Sequence, residues 1–404
     1  MKVSADVTRV AFAAAVAMVA WAMAAPGWWR PVEDPDLWWL IWAGDQGLPD
    51  ANGFSWTAPD HPWTLHEPVV ALVYSAVGLE AVGAVRGMVL TVLTVLMVLL
   101  AWRPDRAWST VLGLVWALPL VSLAFSERAM AWGLLFAAAQ ALAHARGRHG
   151  VAAACVGGWA WIHGSFPVGV LVAFIASPRH GVLALLFTLP RADVWMLSVQ
   201  YLLGGGTSAL LRGHIAEWGW LVPDSVPQAA RLACVVLVIG LARRRPWLVL
   251  LLVPLALRHW RMCSLLGIFL LAPFVDALRT PSRRCANPLP LMLAALLPVA
   301  ALSNPTVVEA GVTPSAGALY NDLTLGGWLG YRGFRPFWDP RNDCYPPEVY
   351  ADGLRVAYQH DMSVLDRRGV VQILTRDDEL VEVAQEHGFW IQERGDGLTR
   401  MVRR

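Results

Sequence analysis

The sequence is poor in charge. Of its 404 residues only 15% are Asp, Glu, Lys or Arg, against roughly 25% in a soluble globular chain. With 56% hydrophobic residues and a mean hydropathy of +0.48, this excludes an ordinary soluble enzyme and a disordered chain. Lysine is almost missing, since Lys2 is the only one. The formal net charge is +2, so no basic surplus points to nucleic acid as a partner. Cysteine is sparse as well. Cys155, Cys234, Cys263, Cys285 and Cys344 contain no C-x-x-C pair, which excludes a disulfide framework and a cysteine zinc site. They read as small apolar fillers. No Gly-rich phosphate loop, Ser-His-Asp order or H-E-x-x-H is present, which leaves no soluble-enzyme signature. The remaining class is a polytopic α-helical membrane protein.

What the chain has in quantity is Trp and Arg. Eight of its 22 Trp lie between Trp21 and Trp63, the residue type that suits a membrane–water interface. The acidic residues are uneven: 15 of 30 fall in 304–404 and eight in 67–303. The chain therefore reads as a membrane body over 1–303 and a small C-terminal α/β domain over 304–404, close to the usual domain size. Within the tail, alternating runs at 318–321, 335–339, 370–375, 389–393 and 398–402 suggest strands. Helical stretches are expected at 347–360 and 377–387.

The first apolar stretch, 7–25, follows Lys2 and Arg9 and ends in small residues. It reads as a retained helix or a cleavable leader over 1–24. The polar loop 26–66 follows, outside the cytoplasm in either case. Apolar segments then recur at 67–82, 84–102, 108–125, 129–145, 151–162, 165–177, 181–203, 226–242, 246–257, 261–278 and 286–303. The expected total is about 11–13 spans. Arg103/Arg106, Arg146/Arg148, Arg179, Arg243 to Arg245 and Arg279/Arg283/Arg284 mark the cytoplasmic joints by the positive-inside rule. The opposite joints and the C-terminal domain then face out, and the chain is assigned to the plasma membrane. One parity problem arises. An odd number of crossings must separate the outer loop from Arg103, yet two apolar segments lie between them. The first is therefore read as re-entrant or interfacial, or both together make one crossing.

The strongest local signal is Glu33-Asp34-Pro35-Asp36-Leu37-Trp38-Trp39. Carboxylates beside lipid are costly unless solvated or functional. Here Asp34 and Asp36 can serve as a base toward an acceptor hydroxyl. They can also hold a divalent metal, Mg or Mn. With equal weight they are a helix cap, with Pro35 at the first helical position. Further on come Phe54-Ser55-Trp56-Thr57, then His66 and Glu67 where the loop returns to the membrane. These two bind substrate or hydrogen-bond a helix start. Arg128, His163, Glu217, Arg258 and Arg261 stand at outward joints. Each alone reads as a snorkelling side chain. Together the arginines suit phosphate oxygens. In the tail, Asn321-Asp322 with Gly326-Gly327, and Asp339 to Tyr345, read as structural or docking elements more than as catalysis.

This order of motifs resembles the GT-C class of membrane glycosyltransferases, which includes polyprenyl-phosphate-sugar-dependent protein mannosyltransferases and aminoarabinose transferases. It resembles more closely a group of uncharacterised bacterial GT-C-like membrane proteins with the pattern D-x-D-x-W-W-H, P-F-S-x-T and H-E-W. Departures from that pattern are Leu40 in place of the His, Pro68 in place of the last Trp, and Ala129 after Arg128. The resemblance implies Asp34 or Asp36 as base. It also implies an Arg from 128, 258 or 261 against the leaving lipid phosphate, and a lipid-linked sugar donor as partner. The expected activity is inverting transfer of that sugar to an extracytoplasmic acceptor. The alternative is a non-catalytic membrane protein, a transporter or an assembly partner in envelope polysaccharide biogenesis. Mid-span residues are nearly all apolar, which argues against a transporter.

Overall fold

The structure, a computed structural model, describes residues 5–29, 32, 34–46, 55, 57, 67–122, 128–203, 221–222, 225–241, 244–278, 314, 317–339, 345–395 and 397–403. Along the chain come helices α1 (Ala5–Trp29), α2 (Asp36–Asp45), α3 (Pro68–Val77), α4 (Val82–Ala101), α5 (Ala107–Val121) and α6 (Ala129–Ala145). Then follow α7 (His149–Trp159), α8 (Phe166–Ala176), α9 (Pro178–Thr188), α10 (Ala192–Leu203), α11 (Val226–Leu237) and α12 (Pro246–Arg258). The last stretch holds α13 (Cys263–Phe269), α14 (Leu271–Ala277), β1 (Leu319–Asn321), α15 (Gly326–Tyr331), α16 (Pro347–Gln359) and α17 (Met362–Arg367). It ends with β2 (Gln372–Thr375), α18 (Asp378–Glu386), β3 (Phe389–Gly395) and β4 (Leu398–Arg403). The chain is thus mainly helical with a small sheet near its C-terminus.

The chain divides into two units. The first comprises Met1–Val32, Ala81–Ser198 and Ile215–Thr306; the second comprises Glu33–Glu80, Val199–His214 and Val307–Arg404. The acidic segment after α1, read above as part of the body, groups with the C-terminal segment.

In the first unit α1 runs against α4 in the opposite direction. The Trp28 indole N–H donates to Thr91 Oγ1 at 3.0 Å. The same ring fills the space beside Gly87, where a β-carbon would sit 2.3 Å from it. At the other end of α1, Phe12 meets Trp108 edge-on at 4.7 Å. Among the described residues one helical segment, Leu79–Ala101, is long and apolar enough to cross a bilayer. A second exists if Trp260–Phe269 and Leu271–Ala277, bent by 59°, form one broken span. Among the described residues the expected 11–13 spans are not seen as such, and interruptions of the helices are one reason. Run 181–203 is interrupted by a 3-10 turn at Leu189–Arg191, where Pro190 lacks the N–H that a helix needs. Helices α7, α8 and α9 have 11 residues each, about 16 Å of rise, about half the ~30 Å hydrocarbon core. Segment 286–303 lies outside the described residues.

The second unit is built on a four-stranded sheet in the order β1-β2-β4-β3. β1 and β2 are parallel, with Tyr320 opposite Ile373, and α15 to α17 make the crossover that a parallel pair requires. β4 pairs antiparallel with both β2 and β3. Four of the five expected strands are present. Run 335–339 is instead an irregular strap, because Pro336 has no N–H to give a ladder. The unit's core joins Trp38 of α2 to Leu319, Leu325, Trp328, Leu329, Leu374 and Leu398. Burial of an aromatic of this size removes about 150–250 Å² from water, so Trp38 is a principal anchor of the acidic segment to the sheet.

Candidate functional site

The acidic turn comes first because it is the strongest sequence signal. Asp34 is buried at 8% exposure. Its Oδ1 accepts the Asp36 N–H at 3.0 Å, and its carbonyl accepts the Leu37 N–H at 3.1 Å. Asp34 therefore closes the turn that starts α2, and the carboxylate of Asp36 sits in the first turn, where the helix dipole favours a negative charge. Helix α15 packs directly on this turn. A β-carbon at Gly327 would lie 2.4 Å from the Pro35 carbonyl oxygen, and one at Gly326 would lie 2.1 Å from that of Trp338. The Gly-Gly pair in the tail is thus a close-approach surface for backbone, which any side chain would fill.

The other polar motifs of this unit tie backbone together. Ser55 Oγ donates to the Pro336 carbonyl at 2.9 Å, and Thr57 Oγ1 to that of Phe337 at 2.5 Å. Asn321 receives the Phe337 N–H and donates to the Trp338 carbonyl, at 2.8 and 3.0 Å. The Trp338 indole donates back to the Asn321 carbonyl at 2.7 Å. Asp339, fully buried, accepts the Tyr345 hydroxyl. Asp322 accepts the Thr375 hydroxyl and the Arg376 N–H, both at 2.7 Å. Burial pushes its carboxyl above the ordinary range, nearby Asp377 adds to the rise, and these two hydrogen bonds oppose it. Asp352 accepts from Arg367 and Arg368 at 2.7 Å each, which fastens α16 to α17. Satisfied buried polar groups of this kind specify a fold.

The first unit distributes its cations differently. Its charged joints fall into two groups, at opposite ends of α5, with Arg106 just before its first residue and Pro119 near its last. At one end Arg231, near the start of α11, donates from Nε to the Pro119 carbonyl at 3.1 Å. Its guanidinium lies 4.8 Å over the Trp260 ring. Trp260 sits between Arg258 and Arg261, in the short turn joining α12 to α13. The Trp116 indole ties the end of α5 to the Cys234 carbonyl of α11 at 2.9 Å. Arg128 is the residue before α6, six residues after Ser122 closes α5. One turn further along α6, a β-carbon at Gly133 would lie 3.2 Å from His163 Cβ. His163 Nδ1 accepts the Ser165 N–H at 3.1 Å, which puts the imidazole proton on Nε2 in the neutral ring. Arg191 completes this end. It is 5% exposed, pairs with Asp193 through two bonds of 3.3 Å, donates to the Ala160 carbonyl at 3.4 Å, and lies 5.1 Å over Trp161.

At the opposite end Arg103 pairs with Asp276 through two bonds of 2.6 and 3.0 Å, and Arg244 donates to the Asp276 carbonyl at 3.3 Å. Here too lie three histidines. His149 and His180 stack at 3.8 Å, and His144 Nδ1 is 3.4 Å from His149 Nδ1. Face-to-face imidazoles direct their nitrogens along parallel planes, not to a common centre. Among the described residues no group of three or more His, Cys, Asp or Glu is disposed to hold a metal ion. At the Asp34–Asp36 pair, the Asp36 N–H takes one acceptor position of Asp34 Oδ1.

The expected site residues fall in both units. Asp34, Asp36 and Glu67 belong to the second unit; Arg128, His163, Arg258 and Arg261 belong to the first. His66 and Glu217 lie outside the described residues. Sequence reading passed over Arg191 and Arg231, each a lone Arg inside an apolar run, and the interruption at Pro190 is the signal that marks Arg191 as a joint. No family model, curated protein or solved structure matches the chain.

Proposed function

We propose that this protein is a plasma-membrane glycosyltransferase that moves a sugar from a polyprenyl-phosphate-linked donor to a hydroxyl acceptor outside the cytoplasm. In this reading the first unit lies in the bilayer, with its Arg258 end outward and its Arg103 end inward. Helix α4 supplies the single crossing that the parity argument requires, and the 10-residue α3 lies at the interface. The C-terminal unit is extracytoplasmic.

The observation that carries the reading is the grouping of four arginines at one end of the first unit. Arg128, Arg231, Arg258 and Arg261 share that end with His163, and Arg231 is held by a carbonyl and an indole face. Guanidinium groups match phosphate oxygens in geometry and charge. In the transfer, the acceptor oxygen bonds to the anomeric carbon as the bond from that carbon to the phosphate oxygen breaks. The phosphate leaves on the lipid with both electrons, against an arginine, and Asp34 or Asp36 takes the acceptor proton. Attack from the opposite face inverts the anomeric centre. Fixed charge at a departing phosphate is the kind of electrostatic help that often dominates catalysis.

A second reading has its own support. Asp34 is engaged in the turn before α2, and Leu40 stands where the resembling group has His. Both suit a non-catalytic member that binds lipid-linked sugars for an assembly. Purified protein offered a panel of radiolabelled polyprenyl-phosphate sugars separates the two. Transfer that is lost in the double variant Asp34→Asn, Asp36→Asn supports the enzyme. Asn keeps the turn's acceptor oxygen and removes the base. Transfer that survives both substitutions removes the assigned base, and no transfer from any donor favours the second reading.

A further inference from the structure

Arg231 is buried at 8% exposure in an apolar wall. Among the described residues its partners are a carbonyl oxygen and the face of Trp260, and no described carboxylate pairs with it. A buried cation with no counter-charge is costly. Its geometry is nonetheless fixed: the Nε bond and the ring contact set the guanidinium plane, so the Nη edge is presented in one direction. One turn earlier on the same face of α11 stands Gln228, also 8% exposed, whose Oε1 is buried with no hydrogen-bond partner among the described residues. Turning that amide over replaces an acceptor with a donor. A fixed guanidinium fork and an amide donor at i and i+3 match the oxygens of a phosphate.

We propose that Arg231 and Gln228 bind the phosphate of a membrane-borne lipid at the Arg258 end of the first unit. The inference rests on the glycosyltransferase reading for the kind of phosphate, and it assigns to that reaction two residues its motifs did not include. The lipid is favoured over free phosphate because the groups lie among apolar side chains of α5, α11 and α13, where a lipid-borne anion brings its own apolar surroundings.

The test measures binding of sugar-free polyprenyl phosphate, and separately of inorganic phosphate, to the full chain in lipid nanodiscs by native mass spectrometry. Wild type is expected to bind the lipid phosphate. Arg231→Gln should weaken it at least tenfold, Arg231→Lys less, since an ammonium keeps the charge without the fork. Gln228→Leu should weaken it severalfold, and serves alone if Arg231→Gln does not fold. Binding unchanged in Arg231→Gln and Gln228→Leu overturns the inference. Arg231-dependent binding of inorganic phosphate with none of the lipid overturns the lipid assignment. Transfer assayed on the same preparations separates the two claims. Arg231-dependent lipid binding without transfer sustains this site and removes the enzyme reading. Transfer with Arg231-independent binding does the reverse.

Discussion

The buried motifs of the second unit and Arg231 of the first use polar groups in different ways. In the second, the conspicuous motifs are fastened to their own surroundings: Asp34 to a turn, Ser55 and Thr57 to the strap, Asn321 to Trp338, Asp352 to two arginines. In the first, Arg231 is buried against a carbonyl and a ring. A dense polar motif therefore marks a structural joint here as readily as a reacting group. A buried charge with no carboxylate beside it among the described residues is the sharper pointer to a ligand.

The largest effect should come from Trp338, which is 1% exposed and bonded to the Asn321 carbonyl. Trp338→Ala is expected to cost the second unit about 3–5 kcal/mol, read as lost exchange protection at the Tyr320 and Ile373 amides in the full chain. Protection near wild type would mean the strap is not what holds the sheet. Next is Gly327→Val, whose branched side chain must displace the Pro35 carbonyl. A loss of about 1–3 kcal/mol and faster amide exchange in α2 are expected. Unchanged exchange in α2 would detach the Gly-Gly pair from the acidic turn.

A smaller, pH-dependent effect is expected at Asp322. Asn at this position keeps an acceptor for the Arg376 N–H but turns the Thr375 hydroxyl from donor to acceptor, a cost of about 1 kcal/mol. The carboxyl's folded value is raised, so ionisation disfavours the folded state. That penalty is absent below the unfolded value of about 4, and it grows until pH passes the folded value. Denaturant melts of Asp322→Asn should show a deficit that narrows as pH rises through that window. A widening deficit would contradict the burial argument. The smallest effect marks the contrast itself. Arg231→Met replaces an uncompensated charge by an apolar chain of similar length, and should leave the melting temperature unchanged or raise it. A drop as large as that of Gly327→Val would mean Arg231 is as structural as the second unit's motifs.

Much of this architecture was legible in the sequence because its signals are local. Alternation revealed β1, β2, β3 and β4, and Asp377 before an amphipathic run announced α18, whose first N–H groups it accepts. The strap at 335–339 was not legible, since its partners Ser55 and Thr57 lie about 280 residues away. Hydropathy read 181–203 as one span, because a window averages over Pro190. The acidic turn was visible as a cap or a base. Its packing under Gly327 depends on a contact between distant segments that no spacing rule encodes. Arg231 escaped for the same reason: a lone Arg in an apolar run says nothing of Pro119 or Trp260 until the helices are packed.

The central claim is that the Arg258 end of the first unit faces out of the cell and the Arg103 end faces in. Val226, 85% exposed at the start of α11, reports the first end, and exposed Arg146, after α6, reports the other. With the five native cysteines replaced by alanine, Val226→Cys should react with a membrane-impermeant maleimide in sealed right-side-out vesicles. Arg146→Cys should react only once the vesicles are opened. Labelling of both positions from the same side, or in the reverse order, would contradict the account.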